Sequence, residues 1–300
     1  MNLADALTAE QLVADQQLLP LQLAENALEI SVLPERLDPG KARTGFPDRV
    51  SQSRNQGGNR LGGVGRRGLH QAGGHRMELC HAVLTTSFHG PALDHWSLAN
   101  GVRCVAAEMP EAPLTCLDLW CRAGSFTETA GEEGMAHFLE HMVFKGSERL
   151  EAGAFDRAIE ALGGSSNAAT GFDDVHFHVL IPPDKAEQAL ELLLDLVLRP
   201  ALEREAFTTE REVVLEEIAQ YADQPDEQVL QQLLNHACPE HAYGRPILGH
   251  RRSLLAMEPA TMRQFHQRRY QGPHCCLAIS GPGAGQLRTV VESSLLCDLP

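Results

Sequence analysis

A pair of histidines four residues apart, with a glutamate directly before the second, constrains this chain more than any other feature. On an α-helix, residues at i, i+3 and i+4 share one face, so His137 and His141 can direct imidazole nitrogens to one point beside Glu140. Neutral imidazoles bind zinc, and a catalytic zinc needs a third protein ligand and one open position. The order His-x-x-Glu-His reverses the better known His-Glu-x-x-His motif. The alternative, for these five residues alone, is a buried helix whose histidines only form hydrogen bonds.

The flanking residues predict where this helix begins and ends. Residues 131–134 place two glutamates at its start, where the helix dipole favours negative charge. Lys145 and Gly146 supply a cation and a glycine at its end. Phe138 and Met142, between the two ends, provide apolar surface that the helix can bury.

Charge and composition divide the chain near residue 92. Residues 1–92 carry nine acidic and nine basic side chains, so the net charge of −15 belongs entirely to residues 93–300. An acidic domain is a poor nucleic-acid binder, and we expect no nucleic-acid partner. Residues 56–68 are rich in glycine and arginine and poor in apolar side chains, which predicts a disordered, low-complexity extension. The alternatives are a flexible RNA-binding tail and a mis-assigned start, with the true start at Met77.

The chain shows no sign of a membrane segment, a secretory signal or a disulfide framework. It has no run of eighteen apolar residues, and its first residues lack a basic start followed by an apolar block. The eight cysteines include no Cys-x-x-Cys pair, and most stand among apolar residues, which predicts buried thiols. Free thiols are typical of a reducing compartment, so we expect a cytoplasmic protein with no membrane partner.

Alternating and helical apolar patterns predict one α+β domain over residues 93–300. Asn100 and Gly101 are typical turn residues for a hairpin at 97–105. The other predicted elements, in order, are a strand at 114–121, the histidine helix, a helix at 151–162, a strand at 175–181, helices at 184–198, 203–221, 225–237 and 259–270, a strand at 275–280, and a helix at 286–296. This order predicts a two-layer domain with a mostly antiparallel sheet and helices packed on one face.

The helix predicted at 203–221 is the best source of a third zinc ligand. Glu210 and Glu217 lie seven residues apart, two turns along one helix face. One of them can bind the metal while the other orients a ligand histidine from behind. The spacing alone leaves open which glutamate has which role.

Two further histidines, His176 and His178, alternate on one face of the strand predicted at 175–181. Histidines on a strand more often lie at its surface or pack in the core than bind a metal. We therefore interpret this pair as strand-surface or core residues and not as ligands.

Four stretches of the chain carry a family resemblance. They are residues 124–146 with the histidine motif, Gly163-Gly164 followed by Asn167, Ala168 and Thr170, residues 210–217, and residues 243–249. Together they resemble the pitrilysin, insulinase and mitochondrial processing peptidase family of zinc metallopeptidases, in the order that the family has along its chain. The resemblance covers about 93–300 and is far more specific than the five-residue motif.

The resemblance implies a zinc-dependent endopeptidase in which His137 and His141 bind Zn²⁺ and Glu140 is the general base. Zinc lowers the pKa of its bound water to about 7 and polarises the scissile carbonyl. Glu140 is then expected to take the water proton and pass it to the leaving amine.

The remaining site residues follow from the same resemblance. It implies Glu217 as the third zinc ligand and Glu210 as the acid that supports a ligand histidine, with Glu216 as the competing third ligand. Asn167 is expected to hold the substrate backbone, next to an edge strand onto which the peptide adds as an extra strand.

Family members build their active chamber from two halves, each made of two similar domains. The chain ends near the close of one such domain, so we expect a homologous domain or subunit to complete the chamber around a peptide or unstructured polypeptide substrate. The alternative is a non-catalytic or partner-dependent structural subunit of a processing-peptidase-like complex. The presence of all the metal residues favours an enzyme.

Overall fold

The computed structural model describes residues 90–300, so nearly all of the extension predicted at 1–92 lies outside the described residues. Six strands form one sheet here, in the order β1-β2-β6-β3-β5-β4. They are β1 Leu93–Ser97, β2 Arg103–Glu108, β3 Thr115–Cys121, β4 Ser165–Thr170, β5 Val175–Ile181 and β6 Cys275–Gly281. Strands β2 and β6 run parallel, and the other neighbouring pairs run antiparallel. The predicted mostly antiparallel sheet is confirmed.

Eight helices accompany the sheet within residues 90–300. They are α1 Met135–Val143, α2 Ala154–Ala161, α3 Ala186–Leu198, α4 Arg204–Ala222, α5 Pro225–Ala237, α6 Arg251–Ala256, α7 Pro259–Arg269 and α8 Arg288–Val291. Helix side chains such as Phe138 and Phe207 share one buried core with Leu117, Phe177 and Leu277 of the sheet. The predicted α+β fold is therefore confirmed. In the same described range, no helix combines the length and the apolar character that crossing a membrane requires.

The opposite face of the sheet, called the outer face below, carries a different set of side chains. Because side chains alternate along a strand, Asp118 and Trp120 of β3 lie on it together with His176 and His178 of β5. A small apolar cluster, separate from the main core, is also found there: Val105, Trp120, Cys276 and Ala278. The sheet thus separates two environments, one apolar and helix-covered and one with titratable side chains near its centre.

Strand β4, at one edge of the sheet, was not among the elements predicted from local pattern. Its residues are serine, asparagine, alanine and threonine, most of which have low strand preference. The register with β5, from Ser165 opposite Leu180 to Thr170 opposite Val175, holds the segment as a strand. Tertiary pairing therefore overrides local preference and places an edge strand in contact with α1.

The last predicted helix, at 286–296, is wrong in extent. The structure has one short helix, α8, between the 3-10 segments Ala284–Leu287 and Leu295–Asp298. The Ser294 hydroxyl donates to the Val291 carbonyl and accepts from the Leu296 N–H. A serine that bonds to its own backbone in this way competes with helical hydrogen bonding and ends the helix.

Helix α1 begins with a different acid from the ones predicted. Glu132 and Glu133 precede the helix and accept hydrogen bonds within the preceding loop. The carboxyl group at the helix start belongs to Glu128, which accepts from the buried N–H groups of Gly134 and Ala136 at 3.1 and 2.9 Å. Glu128 therefore satisfies two of the N–H groups that every helix start leaves without an internal partner.

Gly134 lets the segment 243–249 pack directly on the start of α1. Its φ of +91° lies in the left-handed region that side chains disfavour. A Cβ at this position would lie 2.5 Å from the Leu248 carbonyl oxygen and 2.9 Å from the Gly249 Cα. Any larger residue would push this segment away from the helix.

Replacing Glu128 with alanine leaves the buried N–H groups of Gly134 and Ala136 without an acceptor. We expect the free energy of unfolding to fall by about 1–3 kcal/mol. Chemical denaturation in the presence of a chelator measures this change without a contribution from metal binding. The matched control is Glu133→Ala, because the Glu133 side chain accepts from the exposed N–H of Gly131, and its effect should stay within about 0.5 kcal/mol. Equal losses in the two variants would contradict the role assigned to Glu128.

Candidate metal centre

Helices α1 and α4 bring two imidazoles and one carboxylate to one point. His137 and His141 lie one turn apart on α1, and their Nε2 atoms face Oε2 of Glu217 on α4 at 3.6 and 3.5 Å. In a tetrahedral site with metal–ligand bonds of about 2.1 Å, the ligand atoms lie about 3.3 Å apart. The spacing of these three donors therefore fits a zinc ion.

The chemistry of His137 also suits a metal ligand. Burial, and next the neighbouring His141, lowers the pKa of His137 to about 4. The neutral imidazole is the form that binds metal. Its Nδ1 atom is buried and has no hydrogen-bond partner among residues 90–300. With a metal at Nε2, the proton of the neutral ring would lie on this Nδ1 atom.

Glu210 contacts the imidazole of His141, and Lys145 in turn pairs with Glu210. The Nδ1 atom of His141 lies 2.9 Å from Oε1 of the buried Glu210, and Oε2 of Glu210 lies 2.7 Å from Nζ of Lys145. When Nδ1–H donates to Glu210, the lone pair of Nε2 points to the metal position. Lys145 was predicted only as a helix-end cation. Lys145 follows His141 by four residues and so shares its helix face, and this spacing is the sequence signal that both could reach the same acid, Glu210.

Glu140 lies beside the three donors but does not belong to their group. The Thr170 hydroxyl of β4 donates a hydrogen bond to its Oε2 atom. Burial raises the pKa of Glu140, against the opposing effects of Thr170 and His141. The edge strand that local pattern did not predict thus supplies the partner of the predicted base.

The structure distinguishes between the competing glutamates of α4. Glu217 faces the histidines, whereas Glu216 is exposed and lies outside the donor group. Consecutive residues on a helix point about 100° apart, so only one of these two can face α1. Glu210, two turns before Glu217, reaches His141 from the other side.

Asn167 is not brought to the histidine pair. It is exposed on β4, pairs with His178 in the register with β5, and its side-chain oxygen accepts from the Ala168 N–H at 2.9 Å. Because side chains alternate along β4, Asn167 points to the face opposite that of Thr170. Its predicted contact with substrate stays a prediction that relies on the position of β4 at the sheet edge.

A cavity of about 700 Å³ opens beside the donor group. His137, Glu140 and Glu217 line one side of it. Much of the remaining wall is apolar and comes from α4, α5 and the segment before α6: Ile218, Tyr221, Leu230, Leu234, Ile247 and Leu248. The cavity therefore combines an apolar wall with Glu140 and two of the three donors on one side.

The outer face holds a second group of donors. Asp118, His176 and His178 each offer one ligand atom, and these atoms all lie within 4.8 Å of one another. His176 is buried on this face, and its Nδ1 lies 3.0 Å from Oδ1 of Asp118. The histidine pair was interpreted from the sequence as strand-surface or core residues and not as ligands, whereas the structure places a carboxylate beside them. Sequence reasoning missed Asp118, because only the pairing of β3 with β5 brings it to the two histidines.

Comparisons with known proteins match this domain to one family. Residues 103–251, about half of the chain, match the family described as Insulinase (Peptidase family M16). An uncharacterized zinc protease of Rickettsia bellii is 31% identical over 184 residues, which are 61% of this chain and 45% of the relative. A probable mitochondrial-processing peptidase subunit beta of Arabidopsis thaliana is 30% identical over 215 residues, 71% of this chain and 40% of the relative. The chain thus spans less than half the length of these curated relatives.

Solved structures share the fold. A protease from Helicobacter pylori has a TM-score of 0.66 and 26% identity, covering 70% of this chain and 51% of that one. A peptidase M16 inactive domain from Pseudomonas fluorescens has a TM-score of 0.64 at 20% identity over 69% of this chain and 50% of that one, which shows a common fold alone. The resemblance seen in the sequence is confirmed: the chain belongs to the insulinase family of peptidases, peptidase family M16, whose named members include zinc proteases.

Proposed function

We propose that this domain is a zinc-dependent endopeptidase in which Glu140 is the general base. The observation that carries the proposal is the convergence of His137, His141 and Glu217 on one point beside Glu140, at the wall of an open cavity. Two imidazoles and one carboxylate leave one position of a tetrahedral zinc for water or substrate, as in other catalytic zinc sites. The zinc protease names of its relatives support the same reaction class.

His137, His141 and Glu217 are the residues that would hold the zinc. When bound, zinc supplies a Lewis acid that polarises a peptide carbonyl and lowers the pKa of water. Glu210 accepts the Nδ1–H of His141 and keeps its Nε2 directed at the metal position. Lys145 compensates the charge of Glu210, so that this buried carboxylate is paired on both oxygens.

Glu140 performs the proton transfers in this proposal. Its burial favours a carboxylate that binds protons more readily than an exposed glutamate, which suits a base working near neutral pH. It takes the proton of the attacking water and delivers it to the leaving amine of the cleaved peptide bond. Thr170 holds one carboxylate oxygen and so restricts the orientation of the base.

The substrate in this proposal is a peptide or an unstructured polypeptide. Strand β4 is a sheet edge among the described residues, and its Ala168, Ala169 and Thr170 line the cavity. An extended peptide can add to this edge as a further strand through backbone hydrogen bonds, with Asn167 as one contact. This arrangement would bring a peptide bond close to Glu140, because Thr170 on the same strand already contacts it.

We further propose that a homologous domain or subunit completes the active chamber. The relative named as a beta subunit of a processing peptidase supports a partner of this kind. The alternative is a non-catalytic or partner-dependent structural subunit, and the M16 domain described as inactive has the same fold. A chain that binds zinc but cleaves no peptide would support the partner-dependent alternative, and a chain without zinc would support the non-catalytic one.

A cytoplasmic location stays a prediction. It was based on the expectation of free thiols, and the seven cysteines among the described residues are free.

Replacing Glu140 with glutamine keeps the side-chain size but removes the base. We expect zinc content to stay unchanged and the rate of peptide hydrolysis to fall at least about a hundredfold. Elemental analysis gives the zinc content, and chelator-sensitive cleavage of an unstructured fluorogenic peptide gives the rate. Glu216→Gln, an exposed change in α4, should keep both values. Wild-type turnover in the Glu140 variant would show that another group is the base.

Replacing Glu217 with glutamine removes the only carboxylate of the donor group. We expect this variant to lose its catalytic zinc on dialysis against a weak chelator, because two imidazoles alone hold the ion poorly. Glu216→Gln is the matched control, since it makes the same change one residue earlier and should retain the ion. If the Glu216 variant lost zinc and the Glu217 variant kept it, the ligand assignment would be wrong.

Replacing Glu210 with glutamine weakens the support of His141 without removing a ligand. We expect zinc affinity to fall about 10–100-fold, as for other groups that orient a ligand histidine. Competition with a chromogenic chelator measures the affinity, and Glu212→Gln, an exposed change on the same helix, is the control. An unchanged affinity would mean that the bond between His141 and Glu210 does not support the ligand.

A further inference from the structure

The outer face of the sheet carries a set of donors that the proposed peptidase site does not use. Asp118 of β3 stands opposite His178 of β5 in the antiparallel register, and His176 lies two residues before His178 on the same face. Directly opposite residues of an antiparallel pair have Cβ atoms about 5 Å apart, so all three side chains point from one small area. One ligand atom from each lies within 4.8 Å of the other two.

Asp118 is a carboxyl group buried within the sheet. It is 1% exposed, on a strand flanked by β6 and β5, and the ion pair that the structure gives it is with His176 at 3.0 Å. Ala278 stands opposite it on β6. Burying a carboxylate without a cation is unfavourable, so carboxylates in protein interiors are as a rule paired or bound to a metal.

The two imidazoles are oriented before any ligand binds. His176 stacks on Trp120 with ring centroids 4.3 Å apart and an angle of 14°, and on His178 at 5.6 Å and 18°. This stack limits the rotation of the rings and keeps their nitrogens near Asp118.

We propose that Asp118, His176 and His178 bind a second divalent metal ion of the zinc class. Two imidazoles and one carboxylate suit zinc and its first-row neighbours, and a divalent ion would neutralise the buried carboxylate. The donor atoms lie within 4.8 Å of one another, and on binding they would approach the spacing of about 3.3 Å of a tetrahedral site. His178 is only half-buried, so the fourth position is open to water or to a group from another segment.

The position of the site suggests what the ion does. It would link β3 to β5, and β5 is the strand on which the edge strand β4 is built. On the outer face, Asn167 and Ala169 of β4 stand opposite His178 and His176. The ion would therefore stiffen the strand pair that presents the β4 edge, on the opposite side of the sheet from the His137 centre.

Counting zinc ions per chain tests the proposal independently of peptidase activity. After equilibrium dialysis at micromolar free zinc, we expect two ions in the full-length wild-type chain. We expect one ion in His137→Ala/His141→Ala, one in His178→Ala, and none when the three changes are combined. The control is His95→Ala. His95 is exposed on the same face of the sheet, but it lies four strands from His178, a distance of about 19 Å. This variant should retain both ions.

The outcomes separate this proposal from the catalytic one. A His178→Ala chain that holds as much zinc as wild type, with a normal far-UV circular dichroism spectrum, would overturn the second site. A His137→Ala/His141→Ala chain with unreduced zinc would instead count against the catalytic centre. Asp118→Asn is the second test of the outer site, because it keeps the side-chain size, and it should also cost one ion. Cobalt substitution identifies the loaded site, since each variant should lose the ligand-field absorption of one ion.

Discussion

The packing of α4 against α1 is the contact on which the candidate site depends. Phe138 and Phe207 are buried between these helices with ring centroids 4.6 Å apart, which sets the position of one helix along the other. In this register, the two acids of α4 reach opposite nitrogens of the same ring, Nδ1 of His141 from Glu210 and Nε2 from Glu217. A shift of one residue would turn both acids by about 100° and separate the donors.

The remaining parts of the site come from segments that are distant in sequence. Glu128 fixes the start of α1 through two backbone hydrogen bonds, and Gly134 lets the segment that ends at Gly249 lie directly on that start. Thr170 reaches Glu140 from the sheet edge. Each of these contacts restricts one side chain or one helix end, so that the donors are oriented before a ligand arrives and less ordering is left for binding.

The sheet gives the domain two chemically different sides. On the side of the helices, Leu117 and Phe177 belong to the buried apolar core against which α1 packs. On the outer face, the same strands carry Asp118 and His176, which alternate with those core residues. Because β5 contributes to both faces and also pairs with β4, the proposed peptide edge and the proposed outer metal site share one structural support.

Local sequence pattern was sufficient to predict the helices and strands with strong periodicity. It was insufficient where pairing with a distant strand determines the conformation. The turn at Asn100 and Gly101 and the mostly antiparallel sheet follow from turn chemistry and alternation, and the structure has both. Strand β4 could not be predicted because its small polar residues have little strand preference and only β5 holds them extended. Glu128 and Asp118 were missed for a related reason: each acts on residues that the chain brings near only after folding.

The sequence by itself determined that His137, Glu140 and His141 share one face, because a spacing of four residues has a definite meaning on a helix whatever surrounds it. The family followed from the resemblance of four separate stretches of the chain. The resemblance already implied Glu217 rather than Glu216 as the third ligand, and in the structure Glu217 faces the histidines. Only the tertiary structure decided that Thr170 contacts Glu140 and that Lys145 reaches Glu210. The physical reason is range. Periodicity specifies which side chains share a face within one element, whereas the side that faces another element depends on how the two pack together.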